Sequence, residues 1–334
     1  MTFEARVSAV VAEKFTERQA RFLVTVMLHS GVCMIRQYCA FSNMVYGQTA
    51  RDFFARLVDR RLATVCDCAH KRARIFHIQH RALYQAIGEP DSRFRKPTPI
   101  GRAIERLMLL DAVLASRDLT WLATERDKLA HFTVLLGAQL RREEFPQLTF
   151  GHEGSVTVRY FPDKLPIGLD PDGRTHVFVY LVTRSAPVDF RVFLFRHAEL
   201  LRALPRWTVR LVIPPHFEKA TDIYVSAWRQ EFAAPLRLST VEELRWFFEQ
   251  QRARAEGQPQ ASASDLARHA QARLAFRAPR FRVLYRTWLR EGSTALDATT
   301  SPALGDAITR GTGRIESQVL PRAYLHLSPL VGTA

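Results

Sequence analysis

Between Tyr46 and Arg60, apolar side chains fall at Ala50, Phe53, Phe54, Leu57 and Val58. The spacing i, i+3, i+4, i+7, i+8 gathers them on one side of a helix and on neither side of a strand, so it predicts an amphipathic helix. The other side carries Gln48, Thr49, Arg51, Asp52, Arg56 and Arg60. These side chains are of the kinds that reach base edges and phosphates.

The flanking segments supply a context for that helix. Thr16-Glu17-Arg18-Gln19 has the form of a capping box, followed at helical spacing by Phe22, Leu23, Val26 and Met27 until Gly31. A short extended piece, Gly31 to Met34, precedes a second helix over Ile35 to Ala40, and the polar turn Phe41-Ser42-Asn43 separates it from the third. Two strands follow, Leu62 to Cys68 and Arg74 to His80, around the turn Ala69-His70-Lys71-Arg72-Ala73. Three helices and a basic hairpin form the order of a winged helix-turn-helix, expected over residues 1–88. In that arrangement the third helix enters the major groove and the hairpin lies against backbone or minor groove. The candidate DNA-binding residues here are Ser42, Asn43, Gln48, Thr49, Arg51, Asp52, Arg56, Lys71, Arg72 and Arg74.

Charge agrees with a polyanionic partner. The chain of 334 residues carries a formal charge of +15. Gly47 to Arg102 alone holds twelve basic residues against five acidic ones. No stretch approaches eighteen uninterrupted apolar residues and Met1 to Val11 lacks the pattern of a secretory signal, so no membrane contact and a cytoplasmic location are expected. The four cysteines, Cys33, Cys39, Cys66 and Cys68, all fall in the first fifth of the chain, which is not how a disulfide framework is distributed. Cys33, Cys66 and Cys68 would meet on one sheet, which makes zinc geometrically conceivable. Cys-x-Cys departs from the Cys-x2-Cys knuckle, however, so buried thiols are expected, and neither metal nor other cofactor.

Residues 89–150 read as a basic linker and helical connector, with helices over Ile100 to Ser116 and Glu125 to Leu136 and the extended piece TWLAT between them. From Ser155 the chain changes to β-prone runs, SVTVRYF, HVFVYLVT and WTVRLVIP, the last two separated by an amphipathic helix over Val188 to Leu204. Strand, Asp-Gly turn, strand, helix, strand describes an α/β sheet with a crossover helix, expected over 151–254 and closing with a Thr-x-x-Glu-capped helix from Thr240 to Arg254. Residues 255–264 have linker composition. The last segment, 265–334, begins with seven arginines interleaved with Phe276, Phe281, Tyr285 and Trp288, among them the candidate DNA contacts Arg277, Arg280 and Arg282. It ends, from Gly292 onward, in a Ser/Thr/Ala/Gly-rich stretch, part of which is expected to be poorly ordered. The whole is an α+β multi-domain chain.

Phe161-Pro162-Asp163, the turn Asp170-Pro171-Asp172-Gly173-Arg174, VFVYLV, and FRHAELLRALPRWTVRLVIP resemble the replication-relaxation family of plasmids and integrative conjugative elements, over roughly Thr16 to Pro215. The resemblance implies a winged helix followed by a sheet similar to restriction-endonuclease-like folds. In the nuclease version a Pro-Asp acid is followed on the next strand by a second acid and a lysine that support metal-assisted hydrolysis. Asp163 is present, but Val179, Tyr180, Leu181 and Val182 stand where the partners belong. Asp170 and Asp172 have the look of turn formers, and Arg184 is a poor general base. The expectation is a non-enzymatic, double-stranded DNA-binding protein of a mobile genetic element, a homodimer acting as regulator or as accessory factor in replication, transfer or partition, with a protein partner encoded by the same element. The alternatives are a metal-dependent nuclease using Asp163 and an assembly protein recruited through DNA.

Overall fold

The computed structural model describes residues 1–68, 73–150, 157–257 and 262–327. Its N-terminal part comprises helices α1 (Phe3–Val11), α2 (Glu17–His29), α3 (Ile35–Ser42), α4 (Gln48–Asp59) and α5 (Arg81–Ala86), with strands β1 (Val32–Cys33), β2 (Ala63–Asp67) and β3 (Arg74–Ile78) in an antiparallel sheet of order β1-β3-β2. Helix α2 opens on the Thr16 capping box: the Thr16 hydroxyl accepts from the Gln19 amide at 3.4 Å, and the Gln19 side chain accepts from the Thr16 amide at 3.2 Å. It closes at Gly31, whose φ of +72° and approach to Phe94 leave no room for a side chain, since a Cβ there would sit 2.5 Å from the Phe94 carbonyl oxygen. Helix α4 buries Ala50, Phe53, Phe54 and Leu57, the face its period predicts. Phe53 meets Tyr38 of α3 at 4.6 Å between ring centroids and Phe54 meets Phe76 of β3 at 4.5 Å, so helix, helix and sheet share one core.

Next come α6 (Ile100–Ala115), β4 (Thr120–Leu122), α7 (Glu125–Leu136), β5 (Gln147–Phe150), β6 (Thr157–Tyr160), β7 (Ile167–Leu169), β8 (Thr175–Leu181), α8 (Val188–Ala203), β9 (Arg206–Ile213) and α9 (Thr221–Trp228). The run SVTVRYF was expected in the main sheet. Its described strand β6 instead pairs with β5 in a separate two-stranded ribbon, both largely exposed. The stretch read as a connector is integral to the core: β4 hydrogen-bonds β7, and α6 packs Ile104, Leu107 and Met108 with Val179, Leu181 and Val212 of the sheet. On the opposite sheet face α8 places Phe190, Phe193 and Leu194 against Phe178, Tyr180 and Val209. Strand β8, covered on both faces, is buried along all seven residues, as the apolar run from Val177 to Leu181 requires.

The C-terminal part holds α10 (Leu238–Ala255), α11 (Ala263–Ala275), α12 (Pro279–Glu291), α13 (Thr294–Asp297), α14 (Ala303–Thr309) and β10 (Gly313–Val319). Thr240 does not cap α10, which starts two residues earlier with Arg237 at its N-cap. Within the stretch from Gly292 onward, β10 lies parallel to β9 and completes a mixed five-stranded sheet of order β10-β9-β8-β7-β4. Gly313 fits there because a Cβ would come 2.4 Å from the Trp207 ring. The polar sequence GRIESQV conceals this strand: at a sheet edge it needs little apolar surface, and its order comes from the backbone ladder to β9. Beyond it Tyr324 is fully buried against α6.

Candidate nucleic-acid interface

The outer face of α4 is exposed along most of its length. Gln48, Thr49, Arg51, Asp52 and Arg56 are all exposed. Their internal ties are few: Gln48 Nε2 donates to Asp52 Oδ1 at 2.5 Å, one turn along the same face, and Arg56 reaches Gln19 Oε1 at 3.5 Å. Arg60, at the far end, donates to the Glu13 carbonyl at 3.2 Å and lies over the Phe15 ring, which anchors it to the body. Gly47 caps the helix without a side chain and its first turn holds no acid, leaving amides and the positive end of the helix dipole open to an anion.

The segment before α4 departs from expectation in where the helix begins. The helix starts at Gln48 instead of near Tyr46, and so Val45 and Tyr46 are left in the loop, 88% and 59% exposed. Arg51 lies over the Tyr46 ring at 5.9 Å, so the tyrosine props the guanidinium at the helix start. The helical reading of Tyr46 conceals this patch in the sequence. Ser42 is not placed to meet a base, because its Oγ is buried and, among the described residues, without a hydrogen-bond partner. Asn43 is exposed, but it is also the left-handed C-cap of α3, with φ 50° and ψ 49°. Arg117 satisfies the Ala40 carbonyl at 2.6 Å, fixing the end of α3 and with it the approach to α4.

Arg74 is exposed at the start of β3. Lys71 and Arg72, at the expected hairpin tip, lie outside the described residues. The three cysteines do not share a site. Cys33 pairs with Phe76 on one side of β3 and faces the helical core, whereas Cys66 pairs with Ile75 on the other side and packs, with Cys68, against the α6 core. Adjacent β3 positions point to opposite faces, which keeps the thiols apart. Burial pushes the Cys33 thiol well above its ordinary range. Among the described residues, no cluster of three or more His, Cys, Asp and Glu side chains is arranged to hold a metal ion.

Of the C-terminal candidates, Arg277 and Arg282 are exposed beside α11 and α12. Arg280 turns inward to Glu231, 3.8 Å away, whose side chain is 1% exposed and also binds Arg191. It balances a buried charge and does not present itself to a phosphate.

Asp163 sits in a tight turn flanked by Phe161 and Lys164, both with positive φ. Its Oδ1 accepts from Arg196 at 2.5 Å, while its Oδ2 is buried and makes no hydrogen bond with any described residue. The residue missed from the sequence is Lys128 of α7, which lines the same small cavity of about 10 Å³ together with His197. Burial, reinforced by Arg93, brings the Lys128 amine down to about 7, and its Nζ donates to the Leu165 carbonyl at 2.6 Å. A lysine thus lies near Asp163, from a helix instead of the next strand, in a space too small for a phosphodiester. Asp170 and Asp172 accept from backbone amides of Arg174 and Thr175 in the β7–β8 turn, and Arg184 pairs with Asp189 at 3.4 Å, so none of the three joins Asp163. Compared with known proteins, the chain matches no family model, and no curated protein or solved structure is significantly similar to it.

Proposed function

We propose that the chain is a non-enzymatic, sequence-preferring binder of double-stranded DNA. Helix α4 enters the major groove in the manner of a winged helix-turn-helix, while the β2–β3 hairpin follows the backbone beside it. The observation that carries the reading is the outward face of α4, where Gln48, Thr49, Arg51, Asp52 and Arg56 are exposed together on a helix whose other face is locked into the core. A helix about 10–12 Å across fits a major groove about 12 Å wide. Asn and Gln read adenine, Arg reads guanine, and the exposed Val45 and Tyr46 suit a thymine methyl or a sugar.

Under this reading the five-stranded sheet is a scaffold in which Asp163 does no cleavage chemistry. The resemblance to the replication-relaxation family supports a regulator or an accessory factor of a mobile element, acting as a dimer on paired half-sites. The test is selection of duplexes from a randomised pool by the full chain. A recovered motif that Gln48→Ala and Arg51→Ala each degrade supports the proposal, and a pool that enriches nothing rejects it. Plasmid incubated with Mg2+ or Mn2+ should stay intact; nicking that disappears in Asp163→Ala would return the nuclease reading.

A further inference from the structure

Helices α10, α11 and α12 pack around Phe247, Phe248, Leu284 and Trp288 but leave one side open as a groove of about 990 Å³. Leu274 at the end of α11 and Leu289 at the end of α12 are 68% and 49% exposed along it. Arg273, Arg277, Arg282 and Arg286 also line it, are exposed, and form no ion pair or hydrogen bond with any described residue. Among the described residues, the lining contains no acidic one. An apolar seam edged by unpartnered guanidinium groups is the complement of a helix with leucine-type residues on one side and carboxylates beside them. The volume matches about two turns of helix, taking a cylinder about 10 Å wide and about 11 Å long.

Other occupants fit the chemistry less well. A second copy of the chain would bring a formal charge of +15 toward the arginines. A single nucleic-acid strand needs open ring faces to stack on. Phe276 and Phe281 are turned edge-on to each other at 5.1 Å, and Phe248 and Tyr285 meet at 5.0 Å, so the aromatic rings of the groove are spent on one another while the most exposed apolar groups are aliphatic.

We propose that this groove docks an acidic amphipathic helix of a partner protein. Its apolar face would cover Leu274 and Leu289, and its carboxylates would face Arg273, Arg277, Arg282 and Arg286. The site is separate from the α4 face and transfers Arg277 and Arg282 from a DNA footprint to a protein contact. The test uses the full chain and a fluorescein-labelled synthetic helix of about eighteen residues, with Leu at i, i+3, i+4, i+7 spacing and Glu elsewhere. An isomer of the same composition with scrambled leucines and an oligothymidylate strand serve as controls. The amphipathic peptide should bind in the micromolar range and the scrambled isomer at least about tenfold more weakly. Leu274→Asp and the pair Arg277→Glu/Arg282→Glu, all at exposed positions, should each weaken the peptide at least about tenfold while duplex binding through α4 stays within about twofold. Equal binding of the scrambled isomer, displacement of the peptide by oligothymidylate, or no peptide binding at 100-micromolar protein (about −5.5 kcal/mol) would each overturn the proposal.

Discussion

Arg36 lays both ends of its guanidinium on the Asp111 carboxylate, Nη1 to Oδ1 at 2.9 Å and Nη2 to Oδ2 at 2.7 Å. Gln37 adds a third donor at 2.9 Å and the Tyr324 hydroxyl a fourth. One carboxylate on α6 therefore ties α3, the helix immediately before α4, to the C-terminal segment that follows β10. The exposed face of α4 is oriented by this junction as well as by its own core. Asp111→Ala would strand a largely buried guanidinium, at a cost of about 3 kcal/mol, with the cooperative melting transition moving down by several degrees. Tyr324→Phe removes one hydrogen bond and should cost about 1 kcal/mol. Chemical denaturation of both variants checks the order of the two effects.

Lys128 makes a prediction about pH. Its amine is held near 7 by burial and by Arg93, well below its ordinary 10.5, so the unfolded chain binds more protons between these values. Stability from this group therefore rises with pH from about 7 to about 10.5, and the cost of burying the ammonium is complete below 7. Lys128→Met should stabilise the fold at pH 6 relative to the parent by on the order of a few kcal/mol less the lost bond to Leu165, and so raise the melting temperature there. The gain should shrink steadily toward pH 9.5. A difference that does not change with pH would mean that the amine titrates normally.

Glu231 stands between Arg191 and Arg280 with almost no access to water. Burial raises its carboxyl above the usual range, against the pull of both arginines. Glu231→Ala leaves two buried cations without a counter-charge and should cost about 3–5 kcal/mol. Arg280→Ala should destabilise less, because Arg191 still pairs the glutamate, and should leave duplex affinity unchanged. Melting curves and DNA titrations on the same preparations separate the two effects.

What could be read from the sequence were the features set by local periodicity. The stripe from Ala50 to Leu57, the Thr16 and Gln19 box, and the unbroken apolar run of β8 each specify their element without knowledge of the partner. Features set by distant contacts were hidden. Lys128 lies on a helix with a mixed face and gains its meaning from Leu165 and Asp163 across the fold. Strand β10 is polar because it is an edge, and Arg280 turns inward because of a glutamate 49 positions earlier in the chain. The start of α4 was hidden too, because nothing in the composition around Tyr46 marks the two-residue delay to Gln48.

The most direct measurement is the affinity of the full chain and of Arg51→Ala for a duplex selected by the protein and for the same duplex scrambled, across a range of salt. Arg51→Ala should lose about 1–3 kcal/mol of discrimination between the duplexes with a nearly unchanged salt slope, whereas Lys71→Ala/Arg72→Ala should weaken both alike and lower the slope by about one per lost phosphate contact. If Arg51→Ala keeps the full preference of the parent, the outer face of α4 is not what reads DNA.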